Sequence, residues 1–145
     1  MSLLNMHNAV PVLDEMEQAP FAFHLTGSRF FDCVQPNSDW DFFVENQPDL
    51  KKWLVDHRFQ LESGSDYNST DVVEVWVGPP VYIQTVKDAG LKSAVQDGLL
   101  SSGWKYWMYR HSKDDQKTIW DFAFNLFRAG EKRAIVEASH HAATW

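Results

Sequence analysis

Two acids one residue apart, Asp39 and Asp41, follow the pair Gly27-Ser28 after a spacer of ten residues, Arg29 to Ser38. These residue types suit phosphate and metal chemistry. Gly27 has no Cβ, so the backbone can turn sharply there and come close to a ligand. Ser28 adds a hydroxyl. Arg29 carries a planar fork that matches phosphate oxygens, although an ion pair with Asp32 or Asp39 would use it equally well. Asp39 and Asp41 lie in the extended, aromatic-rich run Trp40-Asp41-Phe42-Phe43-Val44. Residues i and i+2 of a strand point to one face. Hard cations such as Mg²⁺ take oxygen ligands, and two carboxylates on one face offer them. A phosphate cradle beside a carboxylate pair is a layout for phosphoryl or nucleotidyl transfer. An ordinary turn followed by an acidic strand is the plainer reading of the same residues.

Several elements must position these groups. Phe21 to Leu25 reads as a short buried strand, with His24 as a core histidine. After Gly27, Arg29-Phe30-Phe31-Asp32 starts a short helix whose free amides attract phosphate oxygens. Upstream, a helix is expected from Pro11 to about Glu17, with Asp14, Glu15 and Glu17 outward. Downstream, residues 48–57 read as a covering helix, with Pro48 in its first position, Asp49 at its positive end and Leu50, Trp53, Leu54 and His57 at helical spacing. Gln60 to Thr70 is polar and reads as a loop. Residues 71–86 read as a hairpin closed by the three-residue loop Gly78-Pro79-Pro80. That loop sets Trp76 opposite Tyr82 and Glu74 opposite Gln84. Val73, Val75, Val77, Val81 and Ile83 then share a core face, and Glu74, Trp76, Tyr82 and Gln84 share a pocket wall.

The stretch from Leu25 to Asp41 resembles the signature of the polymerase-β-like nucleotidyltransferase superfamily, most closely its small single-domain members. The matching positions are Leu25, Gly27, Ser28, Asp39 and Asp41. The resemblance implies an α+β fold, a small mixed or antiparallel sheet packed against helices. It implies a Mg²⁺-dependent enzyme that moves a nucleoside monophosphate from a nucleoside triphosphate such as ATP to a hydroxyl acceptor. Gly27, Ser28 and Arg29 would bind the nucleotide, and Asp39 and Asp41 would hold the metal. Catalytic members also carry a third carboxylate between apolar residues on a neighbouring strand. Here Val81-Tyr82-Ile83 has that form with Tyr82 in the acid's place, and a neutral phenol does not ligate Mg²⁺ as a carboxylate does. Glu74, between Val73 and Val75, is the candidate substitute on the expected hairpin; Asp71 is a poorer one. If nothing replaces the acid, the chain is a nucleotidyltransferase-fold pseudoenzyme that acts by binding or inhibiting a protein partner.

Bulk properties bound these readings. The 145 residues suit one domain, with a core from about 18 to 100 and a helical part from about 104 to 145. A hydrophobic content of 44% supports a packed core. The net charge of −7 speaks against broad binding to long nucleic acids, which depends on Lys and Arg. A nucleoside triphosphate at a local basic site, with a protein or small-molecule acceptor, fits better. The single cysteine, Cys33, excludes an internal disulfide and suits a reducing compartment. No apolar leader or long apolar run is visible, so no membrane role and a cytoplasmic location are expected.

The rest of the chain reads as helix and aromatic surface. Residues 87–101 form a helix capped by Asp88, with Leu91, Ala94, Val95 and Leu99 on one face. Trp104-Lys105-Tyr106-Trp107-Met108-Tyr109-Arg110 suits core packing, a partner surface or contact with a base. A second amphipathic helix is expected over 112–129, and a further one from Glu131 to about Ser139. His140-His141 is a weak metal signal.

Overall fold

The computed structural model describes residues 10–30, 38–62 and 71–101, together with Asp115 and Thr118. The expectations for Cys33, for residues 63–70 and for the aromatic run and helices after residue 101 therefore lie outside the described residues, apart from Asp115 and Thr118, which are helical and exposed. The fold is mixed α+β. In chain order the elements are α1 (Val12–Gln18), β1 (His24–Thr26), α2 (Gly27–Phe30), β2 (Trp40–Glu45), α3 (Leu50–Asp56), β3 (Gln60–Leu61), β4 (Val72–Gly78), β5 (Val81–Val86) and α4 (Ala89–Ser101). The strands make one sheet in the order β1-β2-β5-β4-β3. It is mixed: β2 runs parallel to β5, whereas β4 is antiparallel to both β5 and β3. The chain forms two compact units, one of Met1–Leu25 with Asp39–Lys87, the other of Thr26–Ser38 with Asp88–Trp145.

In the first unit, β2 and β5 are built from β-branched and aromatic residues that suit a pleated, buried surface. One face of β2 sends Trp40, Phe42 and Val44 into the core, joined by Trp76, Val81 and Ile83. Leu13 and Met16 of α1, Leu50 and Leu54 of α3, and Phe59 complete that core. The acids of α1 lie outward as expected, since Asp14, Glu15 and Glu17 are exposed. The opposite face is also lined by buried side chains, Phe43, Val75, Gln84 and Val86. With both faces covered, β2 reads as a nearly continuous apolar run rather than a strict alternation.

Several local expectations change. Gln60–Leu61, expected as the start of a polar loop, is strand β3, paired with Val77 and Trp76 of β4. The strand begins at His24, not Phe21. Phe21 and Phe23 instead group around Trp53, at ring-centroid distances of 6.4 and 5.3 Å. Asp49, not Pro48, precedes α3, at φ 71° and without a side-chain cap. The hairpin turns through Pro79-Pro80 alone, and Gly78 belongs to the strand, paired with Val81. Gly78 reads as a turn residue, but its role is to leave room. A Cβ there would stand 2.9 Å from two atoms of the Phe59 ring. Gly78→Ala should therefore destabilise the fold by about 1–3 kcal/mol, the usual range for overpacking a core. A chemical denaturation curve checks this, and a midpoint unchanged from wild type would mean that Phe59 can swing aside.

The second unit contains α2 and α4. Asp88 caps α4 as expected: its Oδ1 accepts a hydrogen bond from the Leu91 amide at 3.0 Å. The buried face is Ala89, Lys92, Val95, Gln96 and Leu99. Leu91 is only half-buried and Ala94 is exposed, so the helix is rotated from the orientation that its apolar residues suggest.

Candidate functional site

Asp39 and Asp41 frame the first residue of β2. The Trp40 amide between them donates to the Pro80 carbonyl at 2.8 Å, which continues the parallel ladder beyond the strand's first residue. Trp40 points into the core, so alternation sets Asp39 and Asp41 together on the opposite face. Asp39 is exposed and Asp41 half-buried. Phe43 follows on the same face, fully buried, with the His24 ring stacked on it at 5.0 Å and 16°. His24 is thus a packing residue beside the strand, as expected. The register pairs Asp41 with Tyr82 and Phe43 with Gln84. Partners in adjacent strands share a face, so half-buried Tyr82 stands next to Asp41, one strand spacing of about 4.8 Å away.

The same register moves Glu74. In the expected hairpin it faces Gln84 and shares a face with Tyr82. In the structure Val75 faces Gln84, Val77 faces Tyr82, and Glu74 pairs with Thr85. Thr85 is in register with Val44, on the core face. Glu74 therefore lies on the face opposite Asp41 and Tyr82, and Trp76 joins the core instead of a pocket wall. Two features produce the change. The two-residue turn shifts every pair by one position, which flips each side chain of β4 relative to β5. A bulge between Val72 and Glu74 then leaves Val73 exposed. The Thr85 hydroxyl stabilises the irregular ladder, accepting from the Glu74 amide at 3.0 Å. Asp71 is buried at the far end of β4, where its carbonyl accepts from the Lys87 amide.

The candidate phosphate-binding residues belong to the second unit. Gly27 has φ 70°, in the left-handed region that favours glycine, as its place after β1 requires. Ser28 and Arg29 follow in α2, both half-buried. The Arg29 Nη2 donates to the Ser38 carbonyl at 2.8 Å. That bond ties together the two ends of the spacer between Ser28 and Asp39. A backbone carbonyl is a partner that residue spacing does not reveal. The structure thus brings Asp39, Asp41 and Tyr82 to one face, sets Glu74 on the other, and carries Gly27, Ser28 and Arg29 in a separate unit.

Two polar residues passed over in the sequence, Lys92 and Gln96, are buried on α4 at 3% and 2% exposure. Their i, i+4 spacing marks a common helix face, but polar type masks it from a search for apolar periodicity. A cavity of about 260 Å³, lined mainly by Leu13, Met16, Phe21, Phe23 and Phe42, opens on the core side of the sheet. Phe42 and Asp41 point to opposite faces, so this cavity is separate from the carboxylates. Among the described residues, no three His, Cys, Asp or Glu side chains gather where they could hold a metal ion. Among them, too, no helix is long and apolar enough to cross a membrane. In comparisons with known proteins, no family model, curated protein or solved structure matches the chain.

Proposed function

We propose that this chain is a nucleotidyltransferase-type domain that binds a Mg²⁺–nucleoside triphosphate and transfers the nucleoside monophosphate to a hydroxyl of a protein or small molecule. The supporting observation is the order of parts in the chain. A glycine at φ 70° closes β1, a short helix follows, and two carboxylates then share one face at the start of β2. Gly27 and Ser28 bind the β- and γ-phosphates through backbone amides and a hydroxyl. Asp39 and Asp41 are hard oxygen donors and fit a divalent cation. Bound there, Mg²⁺ would neutralise charge on the phosphates and on the leaving pyrophosphate. The acidic balance of the chain, net −7, favours a compact acceptor over a long nucleic acid.

Thermal unfolding with each of the four nucleoside triphosphates, with and without Mg²⁺, tests this. One nucleotide at a hundred times its dissociation constant should stabilise the wild type by about 2.7 kcal/mol, or roughly 5–10 °C, only with Mg²⁺. Asp39→Asn should lose that shift. No shift with any nucleotide would remove the proposal. One observation favours a second reading: the residue in register with Asp41 is a tyrosine, not an acid. On that reading the domain is a pseudoenzyme that captures a protein partner. Capture would then survive Asp39→Asn and fail when Trp104 or Trp107 is replaced.

A further inference from the structure

The cavity between α1, residues 21–23 and β2 has no part in the nucleotide reading. We propose that it binds a small organic cation, an aromatic body that carries one ammonium group on a short chain. Phe42 lines it from the core face of the sheet, opposite Asp41, so this site stands apart from the function above. The volume is about 260 Å³. An apolar cavity of about 150 Å³ already takes benzene, and common ligand sites span about 300–1,000 Å³. The space therefore suits one ring with a short chain. Leu13 and Met16 of α1 line it opposite the sheet, and with Phe42 they are buried. A further wall is Phe21 and Phe23, whose rings meet edge to face at 6.4 Å and 77°. Both rings also pack on Trp53, which fixes that wall before a ligand arrives. A thioether and aromatic faces suit an aromatic guest, and a ring face also attracts a cation.

Charge selects the guest. Among the described residues that line the cavity, Glu17 is the charged one, and it is exposed, at the open side. Asp14, three positions earlier on the same helix face, adds a second exposed acid beside it. Residues 10–25 supply six of the seven lining side chains, and that stretch contains three acids and no Lys or Arg. A mouth of one sign repels an anion and draws in a cation. An ammonium group held there faces the Glu17 carboxylate while the ring that carries it is buried among Met16, Phe21 and Phe23.

Three probes with the same ring decide this: phenethylammonium, the neutral phenethyl alcohol and the anion phenylpropionate. Binding is read from the Met16 methyl resonance of methyl-labelled protein, identified by its loss in Met16→Leu. Phenethylammonium should shift that resonance saturably and bind about fivefold more tightly than the alcohol, the scale of an exposed ion pair. Phenylpropionate should bind more weakly than the alcohol. Glu17→Gln changes an exposed side chain and leaves the apolar walls intact. It should bring phenethylammonium to within about twofold of the alcohol. No saturable shift with any probe would overturn the proposal. Equal affinity for all three would overturn it as well, because the cavity would then select apolar volume and not charge. An ammonium preference that persists in Glu17→Gln would put the cation elsewhere, with the same result.

Discussion

Phe43→Ala should lower the stability of the fold by about 3–5 kcal/mol, the range for emptying a buried aromatic site. Phe43 is 0% exposed, although its strand neighbour on the same face, Asp41, is only half-buried. Its ring lies against His24 at a near-parallel 16°. Across the ladder it faces Gln84, which is also buried. A cavity at this point would be bounded by two polar side chains. The variant also loses the stacking of the ring on His24, which adds to the loss of buried area. Total stability for a domain of this size is about 5–15 kcal/mol, so the variant should lose a large share of it. Phe43→Leu keeps most of the volume and should cost less, about 1 kcal/mol. Urea denaturation of both variants provides the comparison. A loss below about 1 kcal/mol for Phe43→Ala would mean that the ring is not packed as described.

Several elements were legible because their local chemistry agrees with their role in the fold. Gly27 sits where the backbone needs positive φ, Asp88 caps a helix with its own carboxylate, and the run Trp40 to Val44 has the residue types of a buried strand. The hairpin was legible as an element but not in its register. Its sequence contains Gly78-Pro79-Pro80, and a glycine beside two prolines reads as turn. What requires a glycine at this strand position is the Phe59 ring, nineteen positions earlier, and no local pattern reports such a contact. A shift of one pair then exchanged the two faces and took Glu74 away from Asp41. The same limit applies to α4. Apolar periodicity points to Leu91 and Ala94, whereas the buried face includes Lys92 and Gln96. Arg29 was legible as a group that needs a partner, but not as the donor to the Ser38 carbonyl.

Asp41→Asn should abolish Mg²⁺-dependent nucleotide stabilisation and, if the domain transfers, lower turnover by about a thousandfold. The change keeps the size of the side chain and its ability to accept a hydrogen bond, so folding should be little affected. On the proposed function, what is lost is one of two anionic oxygen ligands for the cation. An amide oxygen is a weaker ligand for a hard dication than a carboxylate. Cation stabilisation of developing charge on phosphates is worth several kcal/mol, and each 1.36 kcal/mol is a factor of ten in rate. Asp39→Asn should act in the same direction. Glu74→Gln is the informative contrast, because Glu74 pairs with Thr85 on the opposite face of the sheet. It should leave the nucleotide shift within error of wild type. A Glu74→Gln variant that loses the shift while Asp41→Asn keeps it would reverse the two faces of β4 and put the metal on the wrong side of the sheet. The three variants, measured with one nucleotide and one denaturation assay, therefore test the register and the function together. A register error and a functional error leave different variants inactive.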